Sequence, residues 1–152
     1  MESYEQFISD QEHFKNLVSS MLESDGHSEI FISGAWDMNL YKVLIDKIVE
    51  TNYSKKCKIL VPNITSNKGI YKSHINKIHK HGGVVKINSL FNNSIVVIGD
   101  TAFVVSFSCK VNKDNSIKNC FECCMITKCQ DTVNKIKEIL IDRWNRSFPL
   151  TV

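Results

Sequence analysis

Two apolar segments joined by a Gly-Asp pair constrain the fold of this chain more than any other feature. The first covers residues 93–98, the second covers residues 101–108, and Gly99-Asp100 lies between them. Apolar runs of this length, separated by two residues that favour tight turns, are typical of a β-hairpin. The sequence therefore predicts two adjacent antiparallel strands here.

Helices and strands alternate before this hairpin. Apolar residues at helical spacing predict three helices, and Val133, Ile136, Leu140 and Trp144 predict a fourth near the end. The predicted strands are Ile30–Gly34, Lys58–Val61, Val84–Ile87, Ser94–Ile98, Ala102–Phe107 and Phe121–Thr127. Helices alternate with strands in the first part of the chain, and strands follow one another directly in the later part. This order implies an α/β fold with a mixed β-sheet flanked by helices on both faces.

Length and composition set the class of protein. A chain of 152 residues with 43% hydrophobic content and no Pro/Gly/Ser-rich linker favours a single domain over residues 1–152. No run of eighteen apolar residues occurs, and the N-terminal residues are polar and acidic. We therefore expect no membrane segment and a cytoplasmic location. A net charge of +3 nominates no partner.

The hairpin resembles the catalytic hairpin of the phospholipase D-like superfamily. The signature of that family puts His-x-Lys-x-x-x-x-Asp on one strand, and here Asp100 falls on the Asp, Asn93 on the His and Ile95 on the Lys. In the family the His is the nucleophile and the Lys holds phosphate oxygens, which requires an imidazole and a fixed cation. Neither Asn nor Ile can do this, so we predict no catalytic residues and lean against an enzyme.

The order of elements over nearly the whole chain is similar to that family. After the hairpin, the stretch from Asn119 to Glu122 is similar to an Asn-x-Glu motif that often follows it. The front half, from Ile30 to Trp36 and then Lys58 to Pro62, also looks like the effector-sensing domain of TrmB-type regulators. A sensing role follows from that resemblance by analogy of fold alone.

Polar residues near the hairpin form the predicted ligand site. If the family's phosphate pocket persists as a relic, it suits a small polar ligand that is uncharged or weakly anionic, because the anion-binding lysine is missing. The alternative is that these residues only flank turns of a buried sheet. The predicted ligand-binding residues are Trp36, Asn93, Ser94, Asp100, Ser106, Ser108 and Glu122.

A group of basic residues surrounds the third predicted helix. These residues are either a solvated helix face with cations near its C-terminus, where the macrodipole favours them, or a patch for the backbone of a nucleic acid. The candidate nucleic-acid-binding residues are Lys72, Lys77, His79, Lys80 and His81.

Five of the six cysteines lie between Cys109 and Cys129. The step from Cys120 to Cys123 has the spacing of a zinc ligand pair, but in a strand residues three apart point to opposite faces. Buried free thiols are therefore favoured over a zinc site, and disulfides are disfavoured in a chain with no export signal. No metal and no cofactor are predicted.

Together these features predict a non-catalytic phospholipase D-like binding or regulatory module. It would sense a small polar ligand or act as a scaffold for a protein partner. Because single-copy members of the family pair their motifs, the resemblance implies a homodimer through the hairpin side. The alternatives are an active phosphodiesterase or nuclease with a rearranged motif, and a nucleic-acid-binding module that uses the Lys/His-rich helix.

Overall fold

The computed structural model describes residues 5–24, 29–34, 36, 38–61, 68–88, 93–115 and 117–149, with side chains for all of these except 38, 68–72, 108–110 and 117–119. The elements are β1 (Glu5–Ile8), α1 (Gln11–Glu23), β2 (Ile30–Ser33), α2 (Met38–Glu50), β3 (Cys57–Val61), α3 (Lys68–Lys80), β4 (Val84–Ile87), β5 (Ser94–Ile98), β6 (Thr101–Val111), β7 (Ile117–Thr127), α4 (Gln130–Asn145) and β8 (Phe148–Pro149). A 3-10 turn at Ser54–Lys56 precedes β3.

The strands form one mixed sheet in the order β1-β7-β6-β5-β2-β3-β4-β8. β2, β3 and β4 are parallel neighbours, and α2 and α3 supply the long crossovers that parallel strands need. β5 pairs antiparallel with both β2 and β6, and the turn between β5 and β6 lies at Gly99-Asp100. The predicted mixed sheet and hairpin are confirmed.

Helices cover both faces of the sheet, as the sequence predicts. α1, α2 and α3 pack around a larger core, where the ring of Phe14 lies 5.8 Å from that of Phe103 and 5.5 Å from that of Phe121. α4 packs on the other face around a smaller core, where Trp144 meets the edge of Phe31 at 5.6 Å between ring centroids. Each core therefore has its own aromatic centre.

The helix α1 shows why the periodic segments fold as predicted. Its start is capped by Asp10, whose Oδ1 accepts a hydrogen bond from the Glu12 N–H at 3.0 Å. Phe14, Val18 and Leu22, at intervals of four residues, are all buried. Burial of each such side chain stabilises the fold by about 1.5–3 kcal/mol.

Part of the sheet face under α4 stays uncovered. Phe7, Met125 and Val104 are direct cross-strand partners on β1, β7 and β6, and Val104 pairs with Ile95 of the smaller core. Directly paired residues point to the same face. These three side chains, 63%, 48% and 39% exposed, form an apolar row on that face beyond the reach of α4.

Two edge strands are absent from the sequence prediction. β1 has only one buried residue, Ile8, and β8 has two residues, one of them a proline that pairs with Lys86. Such short edge strands carry too little alternation to be recognised. β6 and β7 are also longer than predicted, because they continue as a two-stranded ribbon as far as Val111 and Ile117.

The longest described helix is α4, with 16 residues. Among the described helices, none combines the length and the apolar character needed to cross a lipid bilayer.

Candidate functional site

The ends of β2 and β3 meet the start of β5 in close backbone contact. Gly34 has φ +95°, and a Cβ atom there would lie 2.4 Å from the carbonyl oxygen of Asn93. The Ser33 hydroxyl donates a hydrogen bond to that same oxygen at 3.0 Å, and the Gly34 N–H donates to the Leu60 carbonyl at 3.1 Å. Only glycine fits here, and the contact fixes the position of Asn93 relative to the parallel strands.

Three of the predicted ligand-binding residues lie together beside this contact. Asn93 and Ser106 flank the paired residues Ser94 and Val105 on neighbouring strands, so both fall on the sheet face that α4 packs against. Both are exposed. These two residues lie with Gly34 and Glu122 at one end of the strands, and we call the region formed by Gly34, Asn93, Ser106 and Glu122 the Asn93 edge.

Glu122 reaches the Asn93 edge because of a β-bulge. Ser106 pairs with Cys123 and Phe107 pairs with Phe121, so Glu122 is an extra residue in β7. Phe121 and Cys124 on either side of it both pack in the larger core. Glu122 and Cys123 therefore lie on the opposite face, with Ser106, and such bulges commonly re-aim a side chain near functional sites.

Trp36 and Ser94 are buried and do not lie on the exposed face of the Asn93 edge. Trp36 is fully buried in the larger core, its Nε1–H donates to the Ser33 carbonyl at 2.9 Å, and its ring meets that of Phe107 at 5.3 Å. Ser94 is also buried and alternates with Asn93 along β5. Both side chains therefore lie on the side of the sheet that faces the larger core.

The structure does not bring Asp100 near Asn93. β5 lies between them, and the four steps from Ser94 to Ile98 alone span about 14 Å at about 3.4 Å per step. Asp100 is exposed in the turn at the far end of the strand, where its Oδ1 accepts a hydrogen bond from the Thr101 hydroxyl at 3.3 Å. The side chain of Ser108 lies outside the described residues.

Ile95 is the residue that the sequence pattern matches to the family's lysine. Its side chain is 8% exposed and belongs to the smaller core with Leu60 and Trp144. Its partners on the neighbouring strands are Val104 and Ser33. The surroundings of this side chain are therefore apolar or neutral.

Solved structures of two bacterial proteins match the chain from end to end. Nuc from Salmonella typhimurium, a phospholipase D family member, superposes with a TM-score of 0.70 at 17% identity, over 99% of this chain and 100% of that one. NucT from Helicobacter pylori gives 0.68 at 15% identity, over 98% and 100%. The chain has the phospholipase D-like fold.

The phospholipase D-like fold is shared with TrmBL2, an archaeal chromatin protein for which a mode of DNA binding has been described. The TM-score is 0.67 at 16% identity, over 96% of this chain and 54% of TrmBL2, so the chain spans about half of that protein. The predicted likeness to TrmB-type regulators is thus confirmed for the fold. No protein-family model matches the chain, and no curated protein matches its sequence.

Four of the five predicted basic residues, Lys77, His79, Lys80 and His81, lie at or just after the C-terminal end of α3, and Lys72 lies nearer the start of the helix. Lys77 is held by Asp46, whose Oδ1 lies 2.6 Å from its Nζ. His79, Lys80 and His81 are exposed. The side chain of Lys72 lies outside the described residues. Three of the five predicted residues, His79, Lys80 and His81, are therefore exposed to solvent in one short segment.

Lys55 and Ser54 are absent from the predicted set, yet they lie with Lys80 and His81 around one cleft. A sequence signal for this grouping exists. Lys55 precedes β3 and His81 precedes β4, and segments that lead into adjacent parallel strands meet at one edge of a sheet.

The bulge at Glu122 corrects one expectation about the cysteines. Cys120 and Cys123 were expected on opposite faces, but the extra residue between them places both on the face away from the larger core. Burial raises the pKa of Cys57 and of Cys124 to about 12. Within the described part of the chain, no three His, Cys, Asp or Glu side chains converge as metal ligands would.

Proposed function

We propose that this chain is a non-catalytic binding or regulatory module that uses the phospholipase D-like fold without phosphodiester chemistry. It forms a homodimer and recognises a small polar ligand, or a protein partner, at the Asn93 edge. We further propose that it acts in the cytoplasm as one domain, in keeping with the five free cysteines among the described residues.

The burial of Ile95 carries this proposal. Phosphodiester cleavage by the family's mechanism needs a fixed cation beside the scissile phosphate and a nucleophile that can hold the phosphoryl group. At the two matching positions the chain has a buried aliphatic side chain and an exposed carboxamide. The hairpin is formed, but neither of these two side chains carries a positive charge.

The chemistry at the Asn93 edge suits a neutral polar ligand. The Asn93 carboxamide and the Ser106 hydroxyl both donate and accept hydrogen bonds, while the Glu122 carboxylate only accepts when ionised. A carboxylate on this face repels polyanions. A ligand with several hydroxyl or amide groups therefore fits better than a nucleotide at this position.

Hydrolysis by purified protein tests the proposal. Bis-p-nitrophenyl phosphate and single-stranded DNA are expected to turn over no faster than with buffer alone. Turnover near an enzyme-like rate of about 1 per second or more would contradict the proposal. If such activity survived Asp100→Asn but disappeared in His79→Ala, the rival interpretation as a nuclease with a rearranged motif would be correct.

The apolar row of Phe7, Met125 and Val104 supports a homodimer on the hairpin side. It lies on the same sheet face as Asn93 and Ser106, and exposed apolar side chains in a continuous row commonly mark contact surfaces. Met125→Lys is expected to weaken self-association at least about tenfold in sedimentation measurements. Ile141→Lys on α4, 51% exposed in the native chain, is the control and is expected to change association little.

Nucleic-acid binding is the second candidate function, favoured by the exposed His79, Lys80 and His81 at the end of α3. TrmBL2, of which this chain spans about half, binds DNA. Contact with phosphates through these side chains would give an affinity that falls steeply with salt concentration. A gel-shift series at increasing salt, with Lys80→Gln as the variant, tests this candidate.

A further inference from the structure

A cleft of about 530 Å³ lies where α2 and α3 end and β3 and β4 begin. The cleft lies at the end of the strands opposite to the Asn93 edge, so it is separate from the ligand site proposed there, and it shares Lys80 and His81 with the candidate nucleic-acid surface. Its volume falls within the range of about 300–1,000 Å³ that is usual for small-molecule sites. The lining residues are Val49, Asn52, Ser54, Lys55, Lys80, His81 and Gly82. This cleft is called the basic cleft below.

The charge of the basic cleft has one sign. Lys55 and Lys80 contribute ammonium groups and His81 contributes an imidazole, whereas none of the described lining residues is acidic. The ion pairs that neutralise other lysines of this layer, Lys42 and Lys77 with Asp46, do not include either lining lysine. The cleft thus offers positive charge to a ligand.

Ser54 adds a second and independent observation. The residue is 3% exposed, and among the described residues its hydroxyl has no hydrogen-bond partner. A buried hydroxyl without a partner costs roughly 1–3 kcal/mol. The hydroxyl itself is covered, so a ligand in the cleft would satisfy it once the Ser54 side chain rotates toward the cleft.

The surroundings hold the cationic groups in place. Gly82 has φ +94°, and the nearest atom to a Cβ there would be Lys55 Cγ at 2.8 Å, so the stem of Lys55 packs on the glycine backbone. His81 Nδ1 lies 2.8 Å from the Lys77 carbonyl, and since that oxygen can only accept, Nδ1 must carry the proton. This hydrogen bond fixes the orientation of the imidazole ring.

The helix ends do not cancel this positive charge. C-terminal carbonyl groups of helices disfavour anions, and both α2 and α3 end here. However, the Ile48 carbonyl accepts a hydrogen bond from the Tyr53 N–H at 3.1 Å, and the Ile78 carbonyl accepts one from the Gly83 N–H at 3.0 Å. Carbonyls paired with backbone donors in this way leave the cationic side chains as the dominant charges.

We propose that the basic cleft binds the phosphate group of a small phosphate monoester. Lys55 and Lys80 would hold two phosphate oxygens, and the Ser54 hydroxyl, rotated toward the cleft, would donate to a third. The carbon atoms of Val49 and the Lys55 stem would contact the organic part. The volume of the cleft favours an organic phosphate over the free ion.

Titration of the full chain with adenosine 5′-monophosphate, followed by amide chemical shifts, tests this site. We expect the largest shifts at Ser54, Lys55 and Gly82, and none of comparable size with adenosine, which lacks the phosphate. Lys55→Gln and Lys80→Gln are each expected to weaken binding about tenfold, the usual effect of losing one charge-assisted contact. Ser54→Ala should weaken binding roughly fivefold without lowering the unfolding midpoint, because it removes a buried unsatisfied hydroxyl.

Lys56→Gln is the matched control, because it removes the same charge from the same turn. Lys56 does not line the cleft, and its Nζ lies 5.8 Å from the centre of the Tyr53 ring. A control that weakened binding as much as Lys55→Gln, or adenosine binding as tightly as the nucleotide, would overturn the proposal. An unphosphorylated single-stranded oligonucleotide that bound through Lys55 and Lys80, with no binding of the mononucleotide, would assign the site to a nucleic-acid backbone and equally overturn it.

Discussion

The two edges of the sheet have opposite character. At the Asn93 edge, backbone contacts are tight and the exposed groups are a carboxamide, a hydroxyl and a carboxylate. At the basic cleft, lysines and a histidine lie beside a buried serine. Among the described residues, the groups exposed at the Asn93 edge carry no positive charge, whereas the described groups at the opposite end of the strands include two lysines. The two proposed sites therefore call for ligands of different charge.

The largest expected effect compares one glycine from each edge. Gly34 and Gly82 both have φ near +95°, but a Cβ at Gly34 meets the Asn93 backbone at 2.4 Å, while a Cβ at Gly82 meets a flexible lysine stem at 2.8 Å. Gly34→Ala should therefore lower the free energy of unfolding by about 3–5 kcal/mol, from strain plus a backbone clash. Gly82→Ala should cost only about 1–2 kcal/mol, since the lysine can move.

Urea unfolding of the two variants measures this difference. Equal losses of stability would mean that the backbone contact at the Asn93 edge is not the tighter constraint, and the contrast between the edges would fail. Replacement of Gly34 is also expected to displace Asn93, which amide chemical shifts of β5 would report.

A smaller effect concerns thiol reactivity at the edge that holds the basic cleft. α4 begins at this edge, and the Thr132 hydroxyl together with N–H groups at the start of the helix lowers the pKa of the Cys129 thiol. A lower pKa leaves more reactive thiolate at a given pH. At about pH 7.5, Cys129 should react with iodoacetamide at least about tenfold faster than Cys124, whose pKa burial raises to about 12.

Labelling resolved by mass spectrometry across a pH series follows each cysteine separately. Thr132→Val, which keeps the shape but removes the hydroxyl, should shift the labelling curve of Cys129 to higher pH. An unchanged curve would show that this end of α4 does not stabilise the thiolate.

The smallest effect concerns Asp46, which forms ion pairs with Lys42 and Lys77 near the basic cleft. Burial alone would raise the pKa of Asp46, but hydrogen bonds and charge from Lys42 and Lys77 lower it below the ordinary value of 3.8. Because the pKa is lower in the folded chain, this contribution is complete above the ordinary pKa and is lost as pH falls through the folded value. Asp46→Asn should cost about 0.5 kcal/mol at neutral pH, since the pair is partly exposed.

Thermal unfolding at neutral and acidic pH checks this sign. The difference between Asp46→Asn and the native chain should shrink as the pH drops. A difference that grew instead would mean that the carboxylate is destabilising in the folded chain.

The sequence was sufficient to predict the elements whose apolar residues recur at a regular spacing or are joined by a clear turn. The four-residue spacing of Phe14, Val18 and Leu22 predicts α1, and the turn at Gly99-Asp100 predicts the hairpin. The sequence also shows that Asn93 and Asp100 lie at opposite ends of a strand, because five strand residues lie between them. The family signature identifies a strand and its two ends, and only one end carries the proposed site.

Other features depend on pairing between distant residues. The bulge at Glu122 exists only because β7 slips by one residue against β6. The burial of Trp36 depends on its hydrogen bond to the Ser33 carbonyl and on Phe107, which is 71 positions away in the chain. Propensity and periodicity act over a few residues, so they do not reveal such contacts.

The two tryptophans of the chain lie in different layers. Trp36 is enclosed among aromatic rings of the larger core, whereas Trp144 lies in the smaller core with Lys86 Nζ 4.7 Å from its ring centre. A nearby ammonium group alters indole fluorescence, so the two emissions are distinguishable with single Trp→Phe replacements. Each tryptophan then reports the thermal unfolding of its own layer. Equal midpoints for the two emissions would mean that the two layers unfold in one cooperative step, and different midpoints would mean that they do not.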